Sequence, residues 1–320
     1  MDESPEPASE HARVPSVATD EHRPKLVYVM GAGHSGSTIL GIALGNCENI
    51  FFAGEIARWF RWAGKPPRRG SERERFWTAI RAEVPIGLSG PEARSIDQSS
   101  GVFAIASRRG RRRLAERYRD VTEALCRAIE GATGATHIVD TSHFPRRARQ
   151  LQMLPGIDMY LLFLVRDPRS VVASYKGDEV ATWPRRVTAT TNAYLWLTHL
   201  LSLAVFLRHP REKRLFVRHE DFVQDPEGVL REILACIGSP AAIPDLTALQ
   251  TGVAFQGNRL IRSDVIALHG RPAHPPRGSR VTALLQLPWR AAFAALRPAA
   301  KASPAPRTET EPEPEVVSRA

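Results

Sequence analysis

The 320-residue chain is short of cysteine, of lysine and of long apolar runs. Its three cysteines, Cys47, Cys126 and Cys236, are far apart and form no CxxC pair. That excludes a disulfide framework and the ligand spacing of a structural zinc site, and it points to a reduced, cytoplasmic chain. The longest apolar run, Ala193–Leu207, has 15 residues and includes Thr198, His199 and Ser202. A bilayer span needs about 20, so a buried helix is expected there and no transmembrane segment. The opening MDESPEPASEHARVPS is polar and acidic, unlike a signal or transit peptide. Only five of the 44 basic residues are lysines, an arginine bias that by itself carries no function.

Hydrophobic residues at 43% suffice for a core, and charged residues at 24% are ordinary for a folded chain. The length fits one large α/β domain or two small ones. The formal net charge of +10 and sequence pI near 10.1 invite a nucleic-acid reading. Yet no RRM, helix-turn-helix or zinc module accompanies them, and nucleic acid is not the expected partner. The excess is local: residues 58–119 hold 16 basic and 6 acidic residues, and the rest of the chain balances at 28 against 28. A surplus concentrated in this way suggests an anionic partner or a basic lid.

Residues 1–23 and 301–320 are rich in Pro, Glu and Ser and read as disordered tails. Between them, short apolar strands (26–30, 136–140, 159–165 and 214–222) alternate with helical patterns (38–44, 113–129, 146–154 and 191–207). Strand 159–165 is apolar throughout, as expected of a strand covered on both faces. This alternation predicts an α/β fold with a parallel central sheet. Asp167-Pro168 and Asp225-Pro226 each place a capping acid before a first-turn proline; the second helix is expected to stop at Gly238. Residues 61–112 are Arg-, Gly-, Ser- and Pro-rich and read as an insertion within a domain of 24–270. Residues 271–300 read as a Pro-rich, partly helical extension.

Two motifs stand at strand-to-helix junctions. The first is Gly31-Ala32-Gly33-His34-Ser35-Gly36-Ser37-Thr38. Glycines there let the backbone approach an anion, and the amides and dipole of the following helix hold it. The spacing is that of a Walker A loop, G-x4-G-x-[ST], but Ser37 stands where the lysine belongs. A kinase or ATPase uses that lysine against the β- and γ-phosphates, so an ATP-dependent small-molecule kinase is the lesser reading. The second motif is Arg166-Asp167-Pro168-Arg169-Ser170, continuing to Ser174. An arginine at a strand end and a hydroxyl two helical turns on can grip a second phosphate.

With these motifs in view the chain resembles the sulfotransferases that use 3′-phosphoadenylyl sulfate (PAPS), and most of all the bacterial branch with a GHSGST loop, related to tyrosylprotein and carbohydrate sulfotransferases. GAGHSGSTIL (31–40) resembles their 5′-phosphosulfate loop. VDTSHFPRRARQL (139–151) resembles their D-S-S-K-x-P segment. LVRDPRSVVAS (164–174) resembles the 3′-phosphate motif, and VRHEDFVQDPEGVLREILACIG (217–238) the Y-E-D-L segment and its helix. Gly257-Asn258-Arg259 is similar to the segment that closes over the nucleotide. The likeness spans roughly 25–262. It implies a P-loop-like three-layer sandwich and transfer of a sulfuryl group to a hydroxyl or amine of a carbohydrate, lipid or small metabolite. It implies no metal.

The same resemblance implies residue roles. Gly33, His34, Ser35, Gly36, Ser37 and Thr38 would surround the phosphosulfate, with His34 where many relatives carry Arg or Lys. Arg166 and Ser174 would hold the 3′-phosphate, and Gly257, Asn258 and Arg259 would close over the nucleotide. Two residues compete as the base: Glu55, placed as the acceptor-side glutamate of tyrosylprotein sulfotransferases, and His143, in a His-Phe-Pro like the His-Leu-Pro of cytosolic ones. If Glu55 is the base, His143 is expected to donate to the leaving oxygen. Asp140 either orients His143 or caps the next turn. Trp59, Phe60 and Trp62 are expected in the core more than in an acceptor pocket.

Overall fold

A computed structural model describes residues 23–66, 71–84, 88–97, 108–176, 188–270 and 280–296. Both expected tails, apart from Arg23, and parts of the 61–112 insertion lie outside the described residues.

Five strands form one parallel sheet: β1 (Lys25–Gly31), β2 (Ile50–Gly54), β3 (His137–His143), β4 (Asp158–Val165) and β5 (Arg214–Arg218), in the order β2-β3-β1-β4-β5. Successive strand residues face opposite sides, and here both sides are apolar. Leu26, Tyr28 and Met30 of β1 enter one core, while Val27 and Val29 enter the other. β4 divides likewise, Leu161 and Phe163 to one side and Leu162 and Leu164 to the opposite one. Such strands are stable only when helices cover both faces. The result is the expected α/β three-layer sandwich.

The helices, in chain order, are α1 (Ser37–Gly45), α2 (Ile56–Arg61), α3 (Ser71–Glu83), α4 (Gly90–Asp97), α5 (Arg108–Thr133), α6 (Pro145–Leu151), α7 (Pro168–Lys176), α8 (Thr188–Arg208), α9 (His219–Gln224), α10 (Pro226–Ile237), α11 (Arg280–Leu285) and α12 (Leu287–Leu296). α1 and α10 cover one face through Leu40, Ile42, Leu44, Leu230 and Ile233. α2 to α6, α8 and α12 cover the other. Asp225 accepts from the Gly228 amide at 2.9 Å, and Gly238, at φ 65°, ends that helix. Asp167 accepts from the Arg169 amide at 2.8 Å. Both caps are those the sequence predicts.

Several boundaries differ. β2 is absent from the sequence reading; it is an Ile-Phe-Phe-Ala-Gly edge strand too short to show a period. The strand expected over 214–222 stops at Arg218, because its partner β4 ends opposite at Val165, and the chain turns into α9. The helix expected to reach Leu154 ends at Leu151. Within 61–112, α3 and α4 pack Trp77, Ile80, Ala93 and Ile96 into the main core, so this part of the insertion belongs to the body of the domain. The Arg-rich start of α5 buries Leu114 and Tyr118 and exposes Arg112 and Arg113, a solvated face. Trp59 and Phe60 are core residues, whereas Trp62 is partly exposed against Phe255, ring centroids 5.6 Å apart.

Candidate active site

From β1 the chain leads to β2 on one side of the sheet, and from β4 it leads to β5 on the other. Open α/β sheets take their ligands in the crevice at such a switch point, beyond the carboxyl ends of the strands. Both sequence motifs open there.

After Gly31 the chain turns through two left-handed residues, His34 (φ 63°) and Gly36 (φ 93°). A β-carbon on residue 36 would come within 2.3 Å of His219 Nδ1, so glycine is needed for both conformation and contact. α1 then begins at Ser37. The amides of its first turn have no acceptor within the helix, and its dipole favours an anion. Ser35 is 2% exposed and its hydroxyl has no partner among the described residues. His219 is half-buried, and its Nδ1 is sealed from solvent without a partner among the described residues. Burial, reinforced by the Arg166 charge, lowers the His219 pKa to about 4, so the ring is neutral at pH 7.

The second junction reaches back to the first. Arg166 Nη1 donates to the His34 carbonyl at 3.0 Å, and Ser174 Oγ lies 3.0 Å from His34 Nδ1. The His34 ring meets Tyr175 edge-on at 4.2 Å. The Gly33 amide donates to the Tyr194 hydroxyl at 3.1 Å. The third segment closes the circle: the Asn258 amide donates to Thr38 Oγ1 at 3.2 Å, and Gly257 packs against Thr38. Gly33 to Thr38, Arg166, Ser174, Gly257 and Asn258 are therefore brought together. The side chain of Arg259 is exposed, and its amide takes the Asn258 side-chain oxygen.

The ends of β2 and β3 form the other side of the site. Glu55 stands just before α2 without a side-chain capping bond; its amide donates to the Gln256 carbonyl at 2.7 Å and its carboxylate meets Arg58 Nε at 2.6 Å. His143 ends β3 in a left-handed conformation (φ 59°). Burial lowers its pKa to about 4; the Glu55 charge opposes this, and Arg58 and Arg61 add to it. Glu55 and His143 thus feel each other directly. The His143 ring also bonds the Thr141 main chain. The neutral ring carries one N–H and one acceptor nitrogen beside Glu55.

Asp140 neither orients His143 nor serves merely as a turn cap. Its Oδ1 accepts from the Ser142 amide (2.9 Å), the Ser142 hydroxyl and the Ile56 amide (3.3 Å), and its Oδ2 pairs with Arg147 Nε at 2.8 Å. Ser142 Oγ in turn accepts from the Ala57 amide at 2.8 Å. β3 therefore satisfies the first amides of α2 and fixes the helix that starts at Glu55. Arg147, 1% exposed, lies over Phe60 and Tyr118 and donates to the Tyr118 hydroxyl.

A model of the sulfotransferase family matches residues 24–243, more than half of the chain. The chain belongs to the sulfotransferase family. No curated protein matches it. Among solved structures, the sulfotransferase domain from the curacin biosynthetic pathway is 15% identical with a TM-score of 0.49, covering 83% of this chain and 98% of that one. The sulfotransferase domain of the Synechococcus PCC 7002 olefin synthase is 16% identical at 0.49, covering 85% and 97%. Retinol dehydratase in complex with androsterone and inactive cofactor PAP is 12% identical at 0.37, covering 85% and 81%. Sequence reasoning about this sulfotransferase missed His219, Tyr175, Tyr194, Ser142 and Gln256. His219 and Ser142 lie inside the quoted segments and Tyr175 directly follows one; Tyr194 sits in an apolar helix with no local signal.

Proposed function

We propose that this sulfotransferase takes its sulfuryl group from PAPS and passes it to a hydroxyl or amine of a small-molecule or glycan acceptor in the cytoplasm. The observation that carries the reading is the meeting of two anion-binding junctions at His34, one from β1 and one from β4. PAPS has two anionic ends, a 5′-phosphosulfate and a 3′-phosphate, and an ordinary nucleoside triphosphate has one. Bound here, it would supply the sulfuryl group and leave as adenosine 3′,5′-bisphosphate.

The residues fit such a ligand. The glycine turn, the first amides of α1 and the unpartnered Ser35 hydroxyl offer donors to a phosphosulfate. Arg166 and Ser174 offer a guanidinium and a hydroxyl to a second phosphate. Ser37 in the lysine position argues against ATP chemistry.

Glu55 is the base in this reading. Burial that lowers the His143 pKa to about 4 penalises a new positive charge there. A carboxylate that takes a proton instead loses its charge, which a poorly solvated site favours. His143 remains neutral beside it, with donation to the leaving oxygen as its part in the same reading.

The test is a thermal shift with adenosine 3′,5′-bisphosphate against ATP. Ligand at 100 times its Kd adds about 2.7 kcal/mol to stability. The bisphosphate is expected to raise Tm and ATP to raise it less. No shift with the bisphosphate, or a larger one with ATP, overturns the donor assignment.

A further inference from the structure

Helix α8 carries no charged residue from Thr188 to Leu207. It is the one helix among the described residues long and apolar enough to cross a membrane by length and composition. Its inner stripe forbids crossing. Asn192, Leu195, His199 and Ser202 are buried against the domain. The Gln286 amide donates to Asn192 Oδ1 at 3.0 Å, and Asn192 Nδ2 lies 3.3 Å from Thr282 Oγ1. These bonds lock α8 to α11 and its neighbour α12.

The outer stripe faces outward. Trp196, Leu197, Leu200 and Leu207 recur at helical spacing, and Leu284 and Leu285 continue the surface on α11. Eight of the eleven large apolar side chains exposed among the described residues lie on α8, α11 and α12 or the first residue of α12, at 40% to 72% exposure. The patch is continuous, since Trp196 Nε1 donates to the Leu285 carbonyl at 2.9 Å and its ring lies 5.1 Å from Trp289. An apolar face of this size marks an interaction surface.

Charge decides what it fits. No acidic residue occurs between Glu179 and Glu212, or between Asp264 and Glu309; these stretches hold eleven basic residues, seven of them outside the described residues. Arg208, Arg211, Arg280 and Arg290 are exposed. A second copy docking about a two-fold axis would oppose one basic rim to another, and like charges repel. An anionic lipid surface satisfies both parts: Leu and Trp enter the headgroup boundary while arginines meet the phosphates.

We propose that α8 and α11–α12 form a face that seats the domain on an anionic lipid surface, with α8 in the plane of the interface. Tyr194, which holds the Gly33 amide, is on the same helix, so a seated enzyme carries its phosphosulfate loop near the bilayer. The inference does not depend on the identity of the donor.

The test is sedimentation of the full chain with vesicles of phosphatidylcholine alone and of phosphatidylcholine with about one-third phosphatidylglycerol. The chain is expected to bind the anionic vesicles at least about tenfold more tightly than the neutral ones, and to release at ~0.5 M salt. The double variant Leu200→Glu/Leu284→Glu is expected to lose at least about tenfold in binding with Tm unchanged. Should that variant fold poorly, Arg280→Gln/Arg290→Gln, which leaves the apolar stripe intact, is expected to lower binding to anionic vesicles several-fold. The proposal is overturned if the wild-type chain stays in the supernatant with both vesicles. It is equally overturned if a well-folded variant binds as the wild type does, or if the wild type is a dimer in solution that Leu200→Glu makes monomeric.

Discussion

At the ends of β1 and β4 the loop is surrounded by main chain and neutral groups, namely glycine turns, the first turn of α1, Ser35, Ser174, two tyrosines and a neutral His219; Arg166 turns toward the loop, and the partly buried Asp167–Arg169 pair (3.2 Å) and Glu220 stand behind it. At the ends of β2 and β3 the site is made of charges held against each other, Glu55 with Arg58 and Asp140 with Arg147. The difference follows from what each side faces. The proposed donor, with two anionic ends, brings its own charge and needs oriented dipoles to receive it, which cost no reorganisation. The base proposed there, Glu55, is a carboxylate, and a charge out of water must be paired. The β2–β3 side is therefore the brittle half of the site, and the β1–β4 side the adaptable half.

The comparison is broken most sharply at Glu55. Glu55→Gln keeps the shape and removes the proposed proton acceptor, so kcat is expected to fall about 10²- to 10⁴-fold, while the thermal shift with the bisphosphate persists. Near-normal kcat with intact donor binding would move the base elsewhere, to His143 first. Asp140→Ala attacks the same side through stability. It leaves Arg147 buried without its carboxylate and frees the Ser142 and Ile56 amides. Breaking a buried pair in this way costs about 3–5 kcal/mol, read as a lower midpoint in urea. A loss below about 1 kcal/mol would show that the pair is exposed to solvent, on the scale of surface salt bridges.

The same contrast explains what could be read without coordinates. The phosphate loop and the Arg166–Ser174 motif are contiguous in sequence, and their chemistry lies in glycine spacing, a missing lysine and a capping Asp-Pro. Those signals survive in one dimension. The α/β alternation, the parallel sheet and the two helix caps were legible for the same reason. The roles of Asp140 and Ser142 were not, because their partners Ile56 and Ala57 lie 84 and 85 residues away. Nothing local distinguishes a carboxylate that caps its own turn from one that caps a distant helix. β2 escaped notice because five residues ending in glycine show no period. The Arg-rich 58–119 stretch misled in part: much of its apolar content is core, and the second basic region, around α8 and α11, is diluted by apolar residues and does not stand out in a net-charge count.

The smallest expected effect belongs to the adaptable side and tests whether His219 supports the loop. Gly36 is left-handed, and a methyl there meets His219 Nδ1 at 2.3 Å. Gly36→Ala therefore has two separable costs, a backbone strain of about 1–2 kcal/mol and a clash. Smaller side chains at 219 remove only the second. In a cycle of Gly36→Ala, His219→Ala and the pair, the double variant is expected to bind adenosine 3′,5′-bisphosphate better than Gly36→Ala alone, by a coupling of about 0.5–1 kcal/mol. The remaining loss reports the strain. Additive losses would mean that the loop moves away from His219 when ligand binds, and that the neutral ring beneath Gly36 fills space without holding the turn. The urea midpoint of all three variants should stay within about 2 kcal/mol of the wild type, well short of the fall expected for Asp140→Ala, because the contact lies at the rim of the sheet and no buried charge is stranded by its loss.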